Sequence, residues 1–288
     1  NAVIEIGPSG REISEMQRVL ASGSGRLILH GQAIQTKPLS EKLGAWRHQY
    51  CNPANHSATP DDLLGTATTY KLQWFGGVGA QPMPDRHLRG QAPLAAGASM
   101  IMHGDGLLIG VDPANGFERW RLDLPAGSMR YVMPYDAAYS CMTLDGQTLY
   151  TNTSEALWEI DALKGDIRNR IFVPDHTDLP GNNVGNGEAR YRWGYLAESD
   201  GWLFCTLMKT SAPRLSIDDR TVARERYSDQ DYTSGRPLVC SRSLLCLTPE
   251  GQIRWSYQGG VIINGSISLQ LKESPRAVPD STGIELEG

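Results

Sequence analysis

The stretch LIGVDPANGFERWRLDLP, residues 108–125, decides the fold. An apolar run stops at Asp112, Gly116 follows four residues later, and Trp120 four after that inside a second extended run. The pattern reads as strand, tight turn, strand. Asp112 is placed to accept turn amides, Gly116 supplies a positive φ that other residues resist, and Trp120 offers a large flat surface to a neighbouring unit.

The pattern recurs twice. LWEIDALKGDIRNRIFVP, residues 157–174, repeats Asp161 and Gly165, with Asn169 at the tryptophan position. LLCLTPEGQIRWSYQGG, residues 244–260, keeps Gly251 and Trp255, with Leu247 at the aspartate position. Gly116 and Gly165 lie 49 residues apart, within the ~40–50 of propeller-type repeats. Gly165 and Gly251 lie 86 apart, one period plus extra residues placed in 175–187 and 213–236. Strand-like runs at 99–102, 149–151 and 201–204 precede the three turns. The units give blades around 72–125, 131–174 and 192–258, a further strand over 261–271 that begins a fourth, and a loose end at 274–288.

This pattern resembles the PQQ-like (quinoprotein-like) β-propeller repeat, in which a strand leads into A-x-D-x-x-x-G-x-x-x-W and a fresh strand. The resemblance covers about residues 71–269. WRHQYCNPANHSATPDD (46–62) and LQWFGGVGAQPMPDRHLR (72–89) also resemble the region leading into such propellers in large bacterial proteins, some of them behind a methyltransferase-like domain. The implied fold is mainly β: antiparallel propeller-type blades, three to four in number and hence a partial ring, behind a short N-terminal α/β segment.

That front segment reads as strand, helix, strand. Residues 3–6 form a short apolar run, Ser9 and Glu12 have capping-box spacing, and Ile13, Met16, Val19 and Leu20 follow at helical spacing. Gly23 and Gly25 end the helix, and 26–30 is the second strand. Two likenesses compete. EIGPSG (5–10) resembles the glycine-rich cofactor loop of S-adenosylmethionine-dependent methyltransferases, with Ser9 in place of the middle glycine. RVLASGSGRLIL (18–29) resembles the late helix-turn-strand of the same enzymes, with Ser22 in place of a proline. The late-element reading fits a chain that changes character soon afterwards, and it makes 1–45 the tail of a methyltransferase-like domain ahead of a propeller at 46–288. A plain α/β appendage is the competing reading.

Composition supports a packed protein: 288 residues, 40% hydrophobic and 20% charged, with 31 glycines and 17 prolines for many turns. A net charge of −5 does not advertise the basic face that nucleic acid requires, and no apolar run reaches the ~18 residues of a membrane helix. Five cysteines form no C-x-x-C pair, so buried thiols are expected rather than a zinc or redox site.

His48, Cys51 and His56 fall close together, but their spacing is not an established ligand pattern and no fourth ligand accompanies them, so no metal is expected. Two clusters are candidates for facing a ligand: Asp85, Arg86, His87 and Arg89 after a glycine-rich turn, and Arg190, Arg192 and Trp193 after an Asn/Gly-rich loop. Solvated loops with local ion pairs are the plainer reading of both. Asp112, Gly116, Trp120, Asp161, Gly165, Gly251 and Trp255 are read as structural repeat residues, the two tryptophans as buried between blades. The sequence carries no G-x-S-x-G, H-E-x-x-H or phosphate-loop motif, and no catalytic residue identifies itself. The expectation is a non-catalytic binding or scaffolding region of a larger protein, for an unknown ligand or protein, needing the rest of its own chain to close the ring. The resemblance implies two alternatives. One is part of a PQQ-dependent oxidoreductase, with PQQ as cofactor only if the parent is a true quinoprotein; the other is the propeller half of a methyltransferase-like fusion.

Overall fold

The computed structural model describes residues 3–5, 20, 26–29, 32–36, 44–59, 72, 74, 91–104, 106–125, 141–153, 156–174, 191–209, 240–263 and 267–269. No helix is found among them, and none is long and apolar enough to cross a membrane. In front, β1 (Val3–Glu5) pairs in parallel with β2 (Arg26–Leu29), and β2 pairs antiparallel with β3 (Gln32–Thr36). Parallel neighbours require a crossover connection. The helix expected there lies outside the described residues, apart from the buried Leu20. β3 is a third strand that the periodicity did not single out.

Three four-stranded antiparallel sheets follow, each a meander in chain order. The first holds β4 (Leu94–Ala96), β5 (Ser99–His103), β6 (Leu107–Val111) and β7 (Glu118–Asp123). The second holds β8 (Met142–Asp145), β9 (Thr148–Asn152), β10 (Ala156–Asp161) and β11 (Ile167–Phe172). The third holds β12 (Tyr191–Ser199), β13 (Trp202–Lys209), β14 (Cys240–Leu247) and β15 (Ile253–Ile263). The protein is therefore mainly β, built of propeller-type blades. Two boundaries differ from the sequence reading. The first blade starts at Leu94 instead of near residue 72, and 261–263 complete β15 instead of opening a fourth blade. The stretches 175–187, 213–236 and 274–288 lie outside the described residues.

The repeated turns join the third and fourth strands of each blade. Gly116 and Gly165 each donate an amide to the carbonyl of the aspartate four residues before, both at 2.8 Å. Asp161 Oδ1 accepts the amides of Leu163 and Lys164 at 2.9 and 3.0 Å, and Asp112 Oδ1 accepts that of Ala114 at 2.9 Å. The third turn is one residue shorter. Gly251 donates to the Thr248 carbonyl, while Leu247, read as the aspartate equivalent, is a buried residue at the end of β14.

Each fourth strand carries a β-bulge at the equivalent place, just after the turn. Pairing skips from Glu118 to Trp120, from Ile167 to Asn169 and from Ile253 to Trp255, leaving Arg119, Arg168 and Arg254 as the extra residues. A bulge re-aims its side chain, and here it sends two guanidinium groups back to the turn. Arg119 meets Asp112 and Arg168 meets Asp161, both at 2.6 Å. With no carboxylate at position 247, Arg254 instead lies 5.9 Å over the Trp202 ring.

Packing between blades explains the glycines. The Trp120 ring lies over Gly110 within its own sheet and against Gly165 of the next turn, where an added Cβ would sit 2.7 Å from the indole. Gly165 also has φ +80°, so a side chain there meets both steric and backbone strain. The Trp120 indole N–H completes the contact on the Ala162 carbonyl at 3.0 Å. Around it gather Leu94, Ile101, Leu108, Met142, Leu144, Leu149 and Ile160, all buried. Between the second and third sheets Asn169 cannot play this part, and Ile171 fills the seat against Gly251. Trp193 supplies the indole, donating to the Ile171 carbonyl at 2.9 Å.

Trp120→Ala should cost about 3–5 kcal/mol through the cavity it leaves between blades, read by urea unfolding; a near-neutral shift would show that the residue anchors nothing. Burial alone would raise the Asp161 carboxyl, but Arg168 and the two turn amides outweigh it and hold the group below its usual range. Its contribution is thus present above the unfolded pKa and lost as pH falls through the folded value. Asp161→Asn should remove about 1–2 kcal/mol at neutral pH, with the difference from the parent closing in acid. A constant difference down the whole acid limb would contradict the ion pair.

Candidate functional site

The first strands β4, β8 and β12 approach one another, and the segment 45–58 threads between them. Its residues meet the sheets in order. Trp46 exchanges two backbone hydrogen bonds with Ala95 of β4. The Arg47 carbonyl accepts the Leu144 amide at 2.9 Å and the Thr143 hydroxyl at 3.2 Å, both from β8. His48 sets its ring edge-on to Tyr195 of β12, centroids 5.6 Å apart. A tight turn then brings Cys51 back to His48, with Cys51 at φ +75°. Farther along, Pro53, Ala54 and Asn55 bond to residues 267–269: the Leu269 amide and Ser268 hydroxyl donate inward, and Asn55 Nδ2 donates to the Ile267 carbonyl.

This junction is filled by the chain itself. His48, Cys51, Trp193 and Tyr195 are buried. Burial pushes His48 down from 6.5 to about 4, and the Leu196 backbone, not aligned for a full hydrogen bond, offsets part of that cost. Burial likewise raises the Tyr195 phenol, whose hydroxyl finds no partner among the described residues. At the rim, burial and the nearby Asp145 raise the Glu198 carboxyl, opposed by the Gly201 amide and Arg47. Arg47 itself reaches Asp145 at 3.6 Å, a half-exposed pair.

Of the residues weighed as ligands, the Cys51 thiol lies on the carbonyls of Ala58 and Ala45, and the His56 ring meets the Asn52 amide on the surface. No three potential metal ligands converge among the described residues. Trp193, placed by the sequence reading on a ligand-facing loop, sits instead inside β12 in the core between blades, because its indole is the one that completes the second blade interface. Arg192 is also in β12; Arg190 and the Asp85, Arg86, His87 and Arg89 cluster lie outside the described residues. Trp120 is buried, whereas Trp255, expected to be its equivalent, is half-buried against Phe204. Four cysteines are buried free thiols. Burial pushes Cys141 up to about 12 and Cys246 to about 11 and also raises Cys205, which keeps them protonated and weakly nucleophilic. Sequence reasoning missed Trp74, the bulge arginines and the threading of 45–58. The arginines alone carried a visible signal, each standing three residues after a turn glycine.

No protein-family model and no curated protein matches the sequence. Solved structures do. A europium-containing methanol dehydrogenase is 13% identical, covering 59% of this chain and 32% of its own, at TM-score 0.34. Quinohemoprotein alcohol dehydrogenase from Comamonas testosteroni is 15% identical over 59% of this chain and 27% of its own, at 0.33. BamB from Moraxella catarrhalis is 14% identical over 58% and 48%, at 0.27. The likeness is one of fold. The chain spans less than half the length of each of these proteins.

The depressed His48 pKa sets a pH dependence. Its contribution is complete above the unfolded value of 6.5 and is lost as pH falls toward about 4, a loss on the order of 2–3 kcal/mol. Urea midpoints should decline across that window, and His48→Gln should flatten the decline. A flat parental profile there would show that His48 is reached by water.

Proposed function

We propose that this chain is a non-catalytic propeller region serving as a binding or scaffolding module. The observation that carries the reading is the threaded segment. Trp46, Arg47 and His48 occupy the space where the first strands of the three blades converge, with Trp193 and Tyr195 buried beside it. The buried His48, Trp193 and Tyr195 take up the interior of this junction, which supports recognition at the surface over enclosure of a cofactor. Rigid blades with polar turns suit a recognition role, in which outer loops rather than an enclosed chamber meet the partner. Phe117, 68% exposed on the first repeated turn, and Phe172, 64% exposed at the end of β11, are among the large apolar side chains exposed in the described residues.

The test has two halves. Incubation with excess PQQ and calcium should give neither retained quinone absorbance after gel filtration nor dye-linked oxidation of primary alcohols; retained quinone with turnover would overturn the reading. In the native host, a partner should co-purify in fixed stoichiometry and be lost in Phe117→Ser or Phe172→Ser at unchanged melting temperature. A partner retained by both variants would move the binding surface away from these loops.

A further inference from the structure

The repeated turns differ at the residue before the glycine, which is Asn115 in the first, Lys164 in the second and Glu250 in the third. Only Asn115 brings a side-chain amide to that place, and an asparagine followed by glycine can react with its own backbone. The glycine nitrogen gives up its proton to solvent and bonds to the asparagine Cγ. The Cγ–Nδ2 bond breaks, ammonia leaves, and a cyclic imide closes. Water then opens the imide on either side. Breaking the new Cγ–N bond leaves aspartate in an unaltered main chain, whereas breaking the original C–N bond leaves isoaspartate, with the chain rerouted through Cβ and Cγ. Glycine favours the closure because no Cβ hinders the attacking nitrogen.

Asn115 is exposed, so water reaches its amide. The attacking nitrogen is held. The Gly116 N–H donates to the Asp112 carbonyl at 2.8 Å, and Asn115 Oδ1 accepts the Phe117 amide at 2.9 Å. Both bonds must break before the Gly116 nitrogen can turn on Cγ. Trp74, outside the three sheets, closes the turn from its other side. Its ring lies on Gly116, which stands at φ +69°, and its indole N–H donates to the Pro113 carbonyl at 3.0 Å. The turn therefore opens for reaction only when the indole lifts away.

We propose that Asn115 is a site of spontaneous deamidation gated by Trp74, and that the isoaspartyl product, unlike aspartate, releases Trp74 from the turn. Aspartate at 115 keeps the main chain and an oxygen for the Phe117 amide. Isoaspartate lengthens the main chain by a carbon directly before Gly116, which displaces the glycine from the Asp112 carbonyl and from beneath the indole together. The reaction thus yields a product that the turn accommodates and another that it cannot. Lys164 and Glu250 give the other turns no such chemistry. Only water is consumed, so the site acts whether or not Phe117 meets a partner.

Peptide mapping by mass spectrometry tests the site, with the folded 288-residue chain in mildly alkaline buffer beside a synthetic peptide of residues 110–121. The folded chain should convert Asn115 roughly tenfold or more slowly than the peptide, by the same factor that slows hydrogen exchange at the Gly116 amide, since both need the same local opening. Trp74→Ala should bring both rates toward those of the peptide while exchange in β9 and β10 stays at the parental rate. Trp74→Phe, which keeps a ring but no indole N–H, should fall between, and it decides the matter by the same comparison if Trp74→Ala unfolds the sheets. Equal conversion in folded chain and peptide, no conversion within the time set by Gly116 exchange, or a rate unmoved by the Trp74 variants overturns the proposal. Hydroxyl-radical labelling of the separated products reads the release. Trp74 should be oxidised several-fold faster in the isoaspartyl form and at the parental rate in Asn115→Asp; equal rates in the two overturn it.

Discussion

The contact between Trp120 and Gly165 is the constraint on which the described architecture depends. A sheet of four short strands has two apolar faces and cannot stand alone; it must be covered on each side by a neighbour. The large indole covers much of one face, but it can lie flat only where the opposing backbone has no side chain. The turn glycine meets that need and the need for φ +80° together. One residue therefore sets both the hairpin geometry and the distance between blades, and the indole N–H fixes the orientation by reaching the Ala162 carbonyl.

A second layer holds the turn itself. The bulge at Arg119 and Arg168 turns a residue that would otherwise alternate outward into a brace for the aspartate, whose second oxygen already accepts turn amides. The third blade shows that the brace is separable from the docking glycine. Leu247 replaces the carboxylate, the turn contracts onto Thr248, and Arg254 moves over Trp202, yet Gly251 still receives Ile171. Backbone pairing preserves the bulge whether or not the ion pair is present.

The turns were legible in the sequence because their chemistry is local: an aspartate, a glycine four residues later and an extended run on each side. The strands at 99–102, 149–151 and 201–204 were legible for the same reason and became β5, β9 and β13. What depended on distant partners was not. Trp74 looks like part of a leading loop until Gly116 is placed beneath it, and Trp193 looks like a loop-end residue until Ile171 is found beside its indole. His48 and Cys51 fell close together in sequence, at a spacing read as ordinary loop packing. Their real setting, between β8, β12 and their own turn, comes from pairings across the fold. The half-buried state of Trp255 was likewise invisible, since the repeat gives it the same letter as Trp120.

The segment 45–58 threads between the first strands, hydrogen-bonded to β4 and β8 and in ring contact with β12, while each outer turn glycine meets a side chain from outside its own blade. The outer contact makes the sharper claim, that a tryptophan and a glycine on different blades form one energetic unit. A double-mutant cycle between Trp120→Ala and Gly165→Ala, measured by equilibrium urea unfolding, tests it most directly. Gly165→Ala should be far less costly once the indole is gone, with a coupling of about 1–3 kcal/mol. Additive costs would mean that the two residues stabilise their blades independently, and would contradict the account.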